Sequence, residues 1–484
     1  MTFVGLPERI EDLASTRGDT IAVSGAGSDV TYRELDRKVS AITAALRNEL
    51  GVRAGDRVGW IGLNDPAQLA SLAALMRIGA IMVPLNYRLA AAELARTLAD
   101  AGASLLIADD TFASIASTLG VRSIDRDSLW SSATDDASAP ASHTDPLAAG
   151  LIVYTSGTTG RPKGAVHTNA MLHANALASD AFHRFRDDDI VLTALPMFHV
   201  GGLCIQTIPA LYRAVRLIIH PRFDARDWLE TVARERVTIS LMVPATIRAV
   251  QEHAQWSTTD LSSLRMLGAG SSTIPLSLIA RCHARNVPVC QIYGATETGP
   301  FSIALTARHA FSHAGSCGWP AEGVEVRLDE APAGVGELLV RGPNVVARYW
   351  PDRPALDAEG WFQTGDMGQR ADDGSYTVVG RRKDMIISGG ENIYPAEIEN
   401  LLAGHPAVAE CAVVGLADAS WGEVVVAALV ARPGCAATDE ELLAFLAARI
   451  ARYKLPRRIV WVDALPKTAL GKVQKPQLVS RLKA

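Results

Sequence analysis

From about Asp56 the chain alternates short apolar runs with segments whose apolar residues recur every three to four positions. VGWIGL (58–63), AIMVPL (80–85), SLLIAD (104–109) and LIVYTS (151–156) predict strands, each a short apolar stretch of the length a buried strand needs. Between them, Ala67–Ile78 and Ala91–Ala101 carry helical spacing. The same rhythm continues through VRLIIH (215–220), TISLMV (238–243) and VPVCQIY (287–293). Strands apolar on both faces and separated by helices pack as parallel sheets covered by those helices, so an α/β fold is expected.

After about Gly315 the texture changes to short strands punctuated by glycine: VEVRLD, GELLVRG and SYTVVG. These predict a small β-rich subdomain. The last hundred residues predict helix (395–403), strand (407–415), strand (424–431), helix (438–451) and strand (458–462), a separate small α+β domain. Trp130–Leu147 is polar and rich in small residues and predicts an exposed loop. Ile190–Tyr212 runs 23 residues without a formal charge, long enough to span a bilayer. Pro196, Gly201, Gly202 and Pro209 interrupt it, so a strand, a tight loop and a helix are expected instead of a membrane span. The N-terminus lacks the basic and apolar regions of a secretory signal.

At 484 residues, against about 150 per domain, two or three domains are expected. A hydrophobic content of 48% with 20% charged residues excludes a disordered chain. The net charge of −5 supplies no global field for nucleic acid, so no nucleic-acid partner is expected. Cys204, Cys282, Cys290, Cys317, Cys411 and Cys435 lack CxxC spacing and suit reduced thiols in a cytoplasmic protein. Arg449–Lys483 holds ten Lys and Arg against the single acid Asp463. A solvated basic face explains that composition; a surface for the phosphates of a nucleotide-like cosubstrate is the sharper alternative.

The segment with most chemistry is YTSGTTGRPKG, Tyr154–Gly164, directly after the run Leu151–Val153 and expected to lead from that strand to a helix-like stretch starting near Asn169. Glycines Gly157 and Gly160 let backbone N–H groups turn toward an anion. Thr155, Ser156, Thr158 and Thr159 add hydroxyl donors, and Lys163 adds a point charge. No Ser or Thr follows the lysine, so this is not the magnesium-holding loop of P-loop nucleotidases. The composition points to phosphate binding and no further.

Four more segments follow in order: YGATET (293–298), TGD (364–366), GRRKDMIISGGENIYPAEIE (380–399) and PKTALGK (466–472). With the 154–164 loop, this set resembles the adenylate-forming superfamily across essentially the whole chain. That superfamily comprises acyl- and aryl-CoA synthetases, adenylation domains of peptide synthetases, and beetle luciferases. The resemblance implies a carboxylic acid activated as acyl-adenylate from ATP with release of pyrophosphate, followed by thioester formation with coenzyme A. It implies ATP, Mg²⁺ and coenzyme A as cosubstrates, and a large domain (1–380) hinged at 381–384 to a mobile small domain (385–484).

The resemblance also implies site residues. The 154–164 loop holds the β- and γ-phosphates. Tyr293 packs along adenine, with Gly268, Ala269, Gly270 and Gly294 among the nucleotide contacts. Thr296 meets the α-phosphate, and Glu297 ligates Mg²⁺, a hard cation suited to carboxylate and phosphate oxygens. Asp366 accepts from the ribose hydroxyls, assisted by Arg381. Lys472 contacts the reacting carboxylate and the α-phosphate. Lys383 is the pivot. Ser388, Gly389, Gly390 and Glu391 close over the adenylate to admit the pantetheine thiol. His199, in PMFHVGG, stands at the pocket entrance where peptide-synthetase domains place the aspartate that anchors an amine, so a free-standing ligase is favoured.

Gly202, Leu203, Val243, Pro244, Ala269 and Ile292 form the expected acid pocket, with Gly270 and Gly299 adding small residues and no charge among them. A second carboxylate there would be buried unpaired, so malonate is disfavoured. A medium or long fatty acid is the expected substrate, with cinnamate- or benzoate-like acids as the alternative. A non-catalytic nucleotide-binding relative or a luciferase-like monooxygenase is the reading of another class.

Overall fold

The computed structural model describes residues 2–25, 27–131, 143–155, 162–329, 334–418, 420–468 and 471–483. Two large sheets carry the N-terminal part. The first runs, in spatial order, Trp319–Pro320, Ile303–Ala304, Val289–Tyr293, Met266–Gly270, Ile239–Met242, Ile190–Thr193, Arg216–Ile219, Ile21–Gly25 and Ser28–Thr31. Its six inner strands, Val289–Tyr293 through Ile21–Gly25, pair in parallel. The second sheet has Ala149–Thr155, Ile81–Pro84, Arg57–Ile61, Leu105–Ala108 and Arg122–Asp125 in parallel. All the strands expected between 58 and 293 are present within one or two residues of their expected bounds.

The helix Pro66–Ile78 shows why the two sheets form one body. Every residue from Pro66 to Met76 is buried, and a helix apolar on all sides has to lie inside. Asp65 caps it by accepting from Ala67 N at 2.8 Å. Arg77, at its last turn, reaches Asp36 at 3.1 Å on the neighbouring helix Tyr32–Ala44. The elements before Arg57, including the helix Leu6–Thr16, have no counterpart in the expectations above.

The uncharged stretch resolves into the strand Ile190–Thr193 and helical segments from Val200 to Arg213. Among the described residues no helix is long and apolar enough to cross a membrane. Of the polar segment 130–147, residues 132–142 lie outside those described. A third sheet, Glu325–Asp329, Val335–Arg341, Phe362–Arg370 and Tyr376–Arg381, is the small β-rich subdomain expected from the glycine-punctuated strands, and its strands pair antiparallel. A fourth, built from Glu391–Ile393, Ile386–Ser388, Gly422–Ala431, Val408–Asp418 and Arg458–Trp461, packs against the helices Pro395–Leu402 and Asp439–Ala447. The fold class is therefore α/β, with parallel-rich sheets, a small β-rich subdomain and a C-terminal α+β unit.

Two fully buried histidines give the fold a pH dependence. Neither ring nitrogen of His167 has a hydrogen-bond partner among the described residues, and burial pushes its pKa down to about 4. His183 is lowered to about 4 for the same cause, against its bond to Ser179. The unfolded chain takes up protons near pH 6.5, and the folded chain resists until about 4. Stability is then full above 6.5 and falls as pH drops through that window, by at most roughly 3 kcal/mol per histidine. We expect the midpoint of thermal unfolding to fall between pH 7 and pH 5, and His167→Leu to flatten the slope.

Candidate active site

The nucleotide motifs gather at the carboxyl ends of the parallel strands, where open α/β sheets bind ligands. Val289–Tyr293 ends in Gly294, where an added Cβ would fall on the Pro300 carbonyl oxygen; only glycine fits that approach. The chain then turns through Thr296–Thr298. Ala295 N donates to Thr298 Oγ1 at 2.9 Å, and Asn344 Nδ2 donates to the carbonyls of Thr298 and Phe301. This turn is held from three sides and leaves the half-buried Glu297 at its rim.

Asp366 reaches the same place from the third sheet. Tyr293 Oη donates to its Oδ2 at 2.9 Å, and Arg381 Nε lies 2.9 Å from Oδ1, the two residues facing each other across the strand pair. Asp366 N donates to Thr364 Oγ1 at 3.0 Å, and Gly365 N to Glu337 Oε1 at 2.9 Å, so the turn that presents the carboxylate is itself fixed. Burial raises the Asp366 pKa, and Arg381 and Tyr293 oppose it. Each carboxylate oxygen keeps a free lone-pair direction, so a ribose hydroxyl can still be accepted.

Lys472 enters from the C-terminal unit. In its segment Thr468 N donates to Lys472 O at 2.7 Å, and Lys467 is anchored to Glu410 at 2.6 Å. The Lys472 side chain is exposed, yet the protein walls around it lower its pKa; Arg381 adds to the lowering, while Asp366 and Glu297 oppose it. The Lys472 charge also reaches His199, whose pKa burial pushes down to about 4. His199 Nδ1 accepts from Gly201 N at 3.1 Å, so the neutral ring carries its proton on Nε2. Arg248 donates to Ala409 O at 3.0 Å and Arg432 pairs with Glu252 at 3.2 Å, two contacts that tie the C-terminal unit to the first sheet's flank.

The structure thus brings together Tyr293, Thr296, Glu297, Asp366, Arg381, Lys472 and His199. Ser156, Gly157, Thr158, Thr159 and Gly160 lie outside the described residues. Thr155 and Lys163 flank them at facing ends of an antiparallel pair, Ala149–Thr155 with Lys163–Thr168. This corrects the expectation that the loop runs from strand toward helix: a six-residue strand intervenes before the helix Asn169–His183. Gly268, Ala269 and Gly270 lie on the strand beside Val289–Tyr293, with Ile292 against Gly268 and Gly270. Gly202 and Gly299 do not open the acid pocket as expected. A Cβ on Gly202 would meet the Pro196 carbonyl, and Gly299 is closed in by Asn175 and Asn344.

Ser388, Gly389, Gly390 and Glu391 are not drawn into this cluster. They form a hairpin turn between Ile386–Ser388 and Glu391–Ile393, with both glycines at positive φ (60° and 86°). A side chain on Gly389 would come within 2.7 Å of the Trp421 ring, whereas Gly390 faces open space. Lys383 is exposed within the short turn Arg382–Asp384. Most of the basic tail is used locally: Lys454 pairs with Glu397, Lys475 with Glu399, and Arg457 lies over Trp421. Sequence reasoning missed Glu337, which holds both Gly365 N and Arg382 (2.8 Å), and Tyr349, which donates to Glu297 Oε1 at 3.0 Å.

A cationic rim of Lys163, Arg381 and Lys472 beside two carboxylates is the electrostatics that a nucleotide triphosphate meeting an organic acid requires. The AMP-binding enzyme model matches residues 10–350, and the AMP-binding enzyme C-terminal domain matches 397–472. The chain belongs to the AMP-binding enzyme family. Indoleacetate–CoA ligase of Aromatoleum aromaticum is 42% identical over 510 residues, covering 98% of each chain. Feruloyl-CoA synthase of an Amycolatopsis species is 40% identical, covering 95% of each. The solved o-succinylbenzoate CoA synthetase of Bacillus subtilis, in complex with its acyl-adenylate intermediate, superposes with a TM-score of 0.90 at 31% identity, covering 99% of this chain and 98% of that one. The protein is an ATP-dependent acyl- or aryl-CoA ligase that uses ATP, Mg²⁺ and coenzyme A.

Proposed function

We propose that the substrate is an aryl or arylalkyl monocarboxylic acid. The relatives support this, since indoleacetate and ferulate each carry an aromatic ring on a short chain that ends in a single carboxylate. The pocket walls expected from Val243, Pro244, Ala269 and Ile292 are uncharged and suit a ring. They suit a fatty acid too, and this keeps the fatty acid as the second reading. The observation that carries the catalytic reading is the Asp366 carboxylate held between Tyr293 Oη and Arg381 Nε, each at 2.9 Å, with the charge of Lys472 from the C-terminal unit reaching the same carboxylate.

In the first step a carboxylate oxygen attacks the α-phosphorus and pyrophosphate leaves. Lys472 offsets the charge of two anions brought together, the electrostatic role that matters most in such a transition state. Asp366 and Arg381 hold the ribose, Tyr293 lies against the base, Thr296 meets the α-phosphate, and Lys163 with Thr155 meets the β- and γ-phosphates. Glu297 offers a single carboxylate, the donor set suited to a magnesium ion that shares phosphate oxygens. That ion, when bound, neutralises the leaving pyrophosphate. In the second step the coenzyme A thiolate attacks the acyl carbon and AMP leaves, with Ser388–Glu391 swung in about a hinge at 381–384 that joins a large domain (1–380) to a small one (385–484). The third sheet ends at Arg381 and the next strand, Ile386–Ser388, belongs to the fourth sheet, which supports that boundary. A reducing cytoplasmic setting is supported by six free thiols.

Pyrophosphate release with a panel of acids, with and without coenzyme A, tests this. We expect kcat/KM for ferulate, coumarate or indoleacetate to exceed that for octanoate and laurate by about tenfold or more, with malonate near background. Laurate ahead of every aromatic acid would replace the aryl reading by the fatty-acid one. Absence of acid-dependent release from any acid would remove the adenylation reading of the site.

A further inference from the structure

Tyr349 stands where three parts of the site meet. Its strand, Arg348–Tyr349, is laid against the phosphate-loop hairpin, with Tyr349 opposite Ala165 and Trp350 N donating to Gly164 O at 2.7 Å. The same segment is tied to the metal-binding turn, because Val346 N donates to Glu297 O at 2.8 Å. The Tyr349 side chain, only 8% exposed, repeats both connections. Its ring face lies 5.3 Å from Lys163 Nζ, with Arg353 also over the ring at 5.4 Å, and its hydroxyl donates to Glu297 Oε1 at 3.0 Å.

We propose that Tyr349 is a positioning residue that sets the Glu297 carboxylate for Mg²⁺-bound nucleotide and couples it to Lys163 at the end of the phosphate loop. This rests on the reading of Glu297 as the metal ligand. A glutamate has three rotatable bonds, and a phenol donor fixed in the protein selects one arrangement among them. One oxygen is then engaged by a neutral donor, and Oε2 is left for a cation. A phenol cannot compete with the cation as a ligand in this role, since it gives its proton to the carboxylate and brings no charge. The ring face does separate work: it attracts the Lys163 ammonium through its quadrupole and keeps that charge near the triphosphate. The hydroxyl and the face can therefore be removed one at a time.

Isothermal titration of ATP into the full chain, without acid and in either Mg²⁺ or EDTA, separates the two. Wild type should bind ATP more tightly in Mg²⁺. Tyr349→Phe keeps the ring and its packing, so binding in EDTA should be unchanged while the gain from Mg²⁺ shrinks about tenfold, the value of one hydrogen bond to a charged group. Tyr349→Leu should weaken binding in EDTA as well, because Lys163 loses its platform. Glu297→Gln should remove the Mg²⁺ gain. A Tyr349→Phe protein with the full Mg²⁺ gain, or with an equal loss in EDTA, overturns the proposal while Glu297→Gln still upholds the metal reading. Unchanged EDTA binding in Tyr349→Leu overturns the coupling to Lys163. A Mg²⁺ gain that survives Glu297→Gln overturns the reading of Glu297 and the proposal with it.

Discussion

Replacing Lys472 with alanine is expected to slow adenylate formation roughly 100- to 1000-fold, the usual cost of removing one preorganised charge contact from a transition state. The structure gives the reason for so large an effect at one side chain. Lys472 is the group that the C-terminal unit delivers to the cluster, an exposed lysine whose charge is felt by Asp366 and Glu297 and is free to meet a bound anion. The neighbouring described lysines are engaged elsewhere: Lys467 with Glu410, and Lys475 with Glu399. Conversion of supplied acyl-adenylate and coenzyme A to thioester should largely survive, because that half-reaction is assigned to the Ser388–Glu391 turn. The check is to measure acid-dependent pyrophosphate exchange and thioester formation separately. Equal loss of both would mean that Lys472 serves a site common to the two steps.

The strands Arg57–Ile61, Ile81–Pro84, Leu105–Ala108, Ala149–Thr155, Arg216–Ile219, Ile239–Met242 and Val289–Tyr293 were legible because each is a short apolar run, a property that needs no partner to be recognised. Arg122–Asp125, largely exposed, and Met266–Gly270, with two glycines, lack that run. Leu6–Ala44 lies ahead of the regular alternation, and its legible signal is the capping box of Thr31 and Glu34 that opens the helix Tyr32–Ala44. The strand Lys163–Thr168 was hidden by its own phosphate-loop chemistry, since Gly160 and Pro162 just before KGAVHT, with Lys163 and Gly164 opening it, suggest a loop continuing into a helix. At the site, Tyr293, Glu297, Asp366 and Lys472 were legible from motifs by resemblance, and the structure adds how they touch. Glu337 and Tyr349 were not, because their partners lie 28 and 45 residues away for Glu337 and 52 for Tyr349. Local spacing carries no trace of such pairings. The small residues Gly202 and Gly299 misled for a related reason: a glycine signals close approach but does not say whether backbone or ligand approaches it.

Lys383→Pro is the sharper test of the hinge, and the structure says which half-reaction should suffer. Lys383 is the middle residue of the short helical turn Arg382–Asp384, directly after the strand that ends at Arg381. Proline disfavours helical dihedrals in the residue before it, which here is Arg382. That residue pairs with Glu337, the same carboxylate that accepts from Gly365 N in the turn presenting Asp366. Displacing Arg382 therefore disturbs the arrangement that brings Arg381 and Lys472 to the nucleotide, and leaves the hairpin Ile386–Ile393 untouched. At on the order of 1–3 kcal/mol for a residue forced from its backbone well, the arrangement seen here should become about 10- to 100-fold less populated. Adenylate formation should fall by that factor, and thioester formation from supplied acyl-adenylate should hold. Lys383→Ala, which leaves the backbone free, should stay near wild type in both, because the exposed side chain has no role beyond its position in the turn. Wild-type rates for the proline variant in both half-reactions would place the pivot elsewhere. A loss of equal size in the alanine variant would make Lys383 a contact residue and not a hinge.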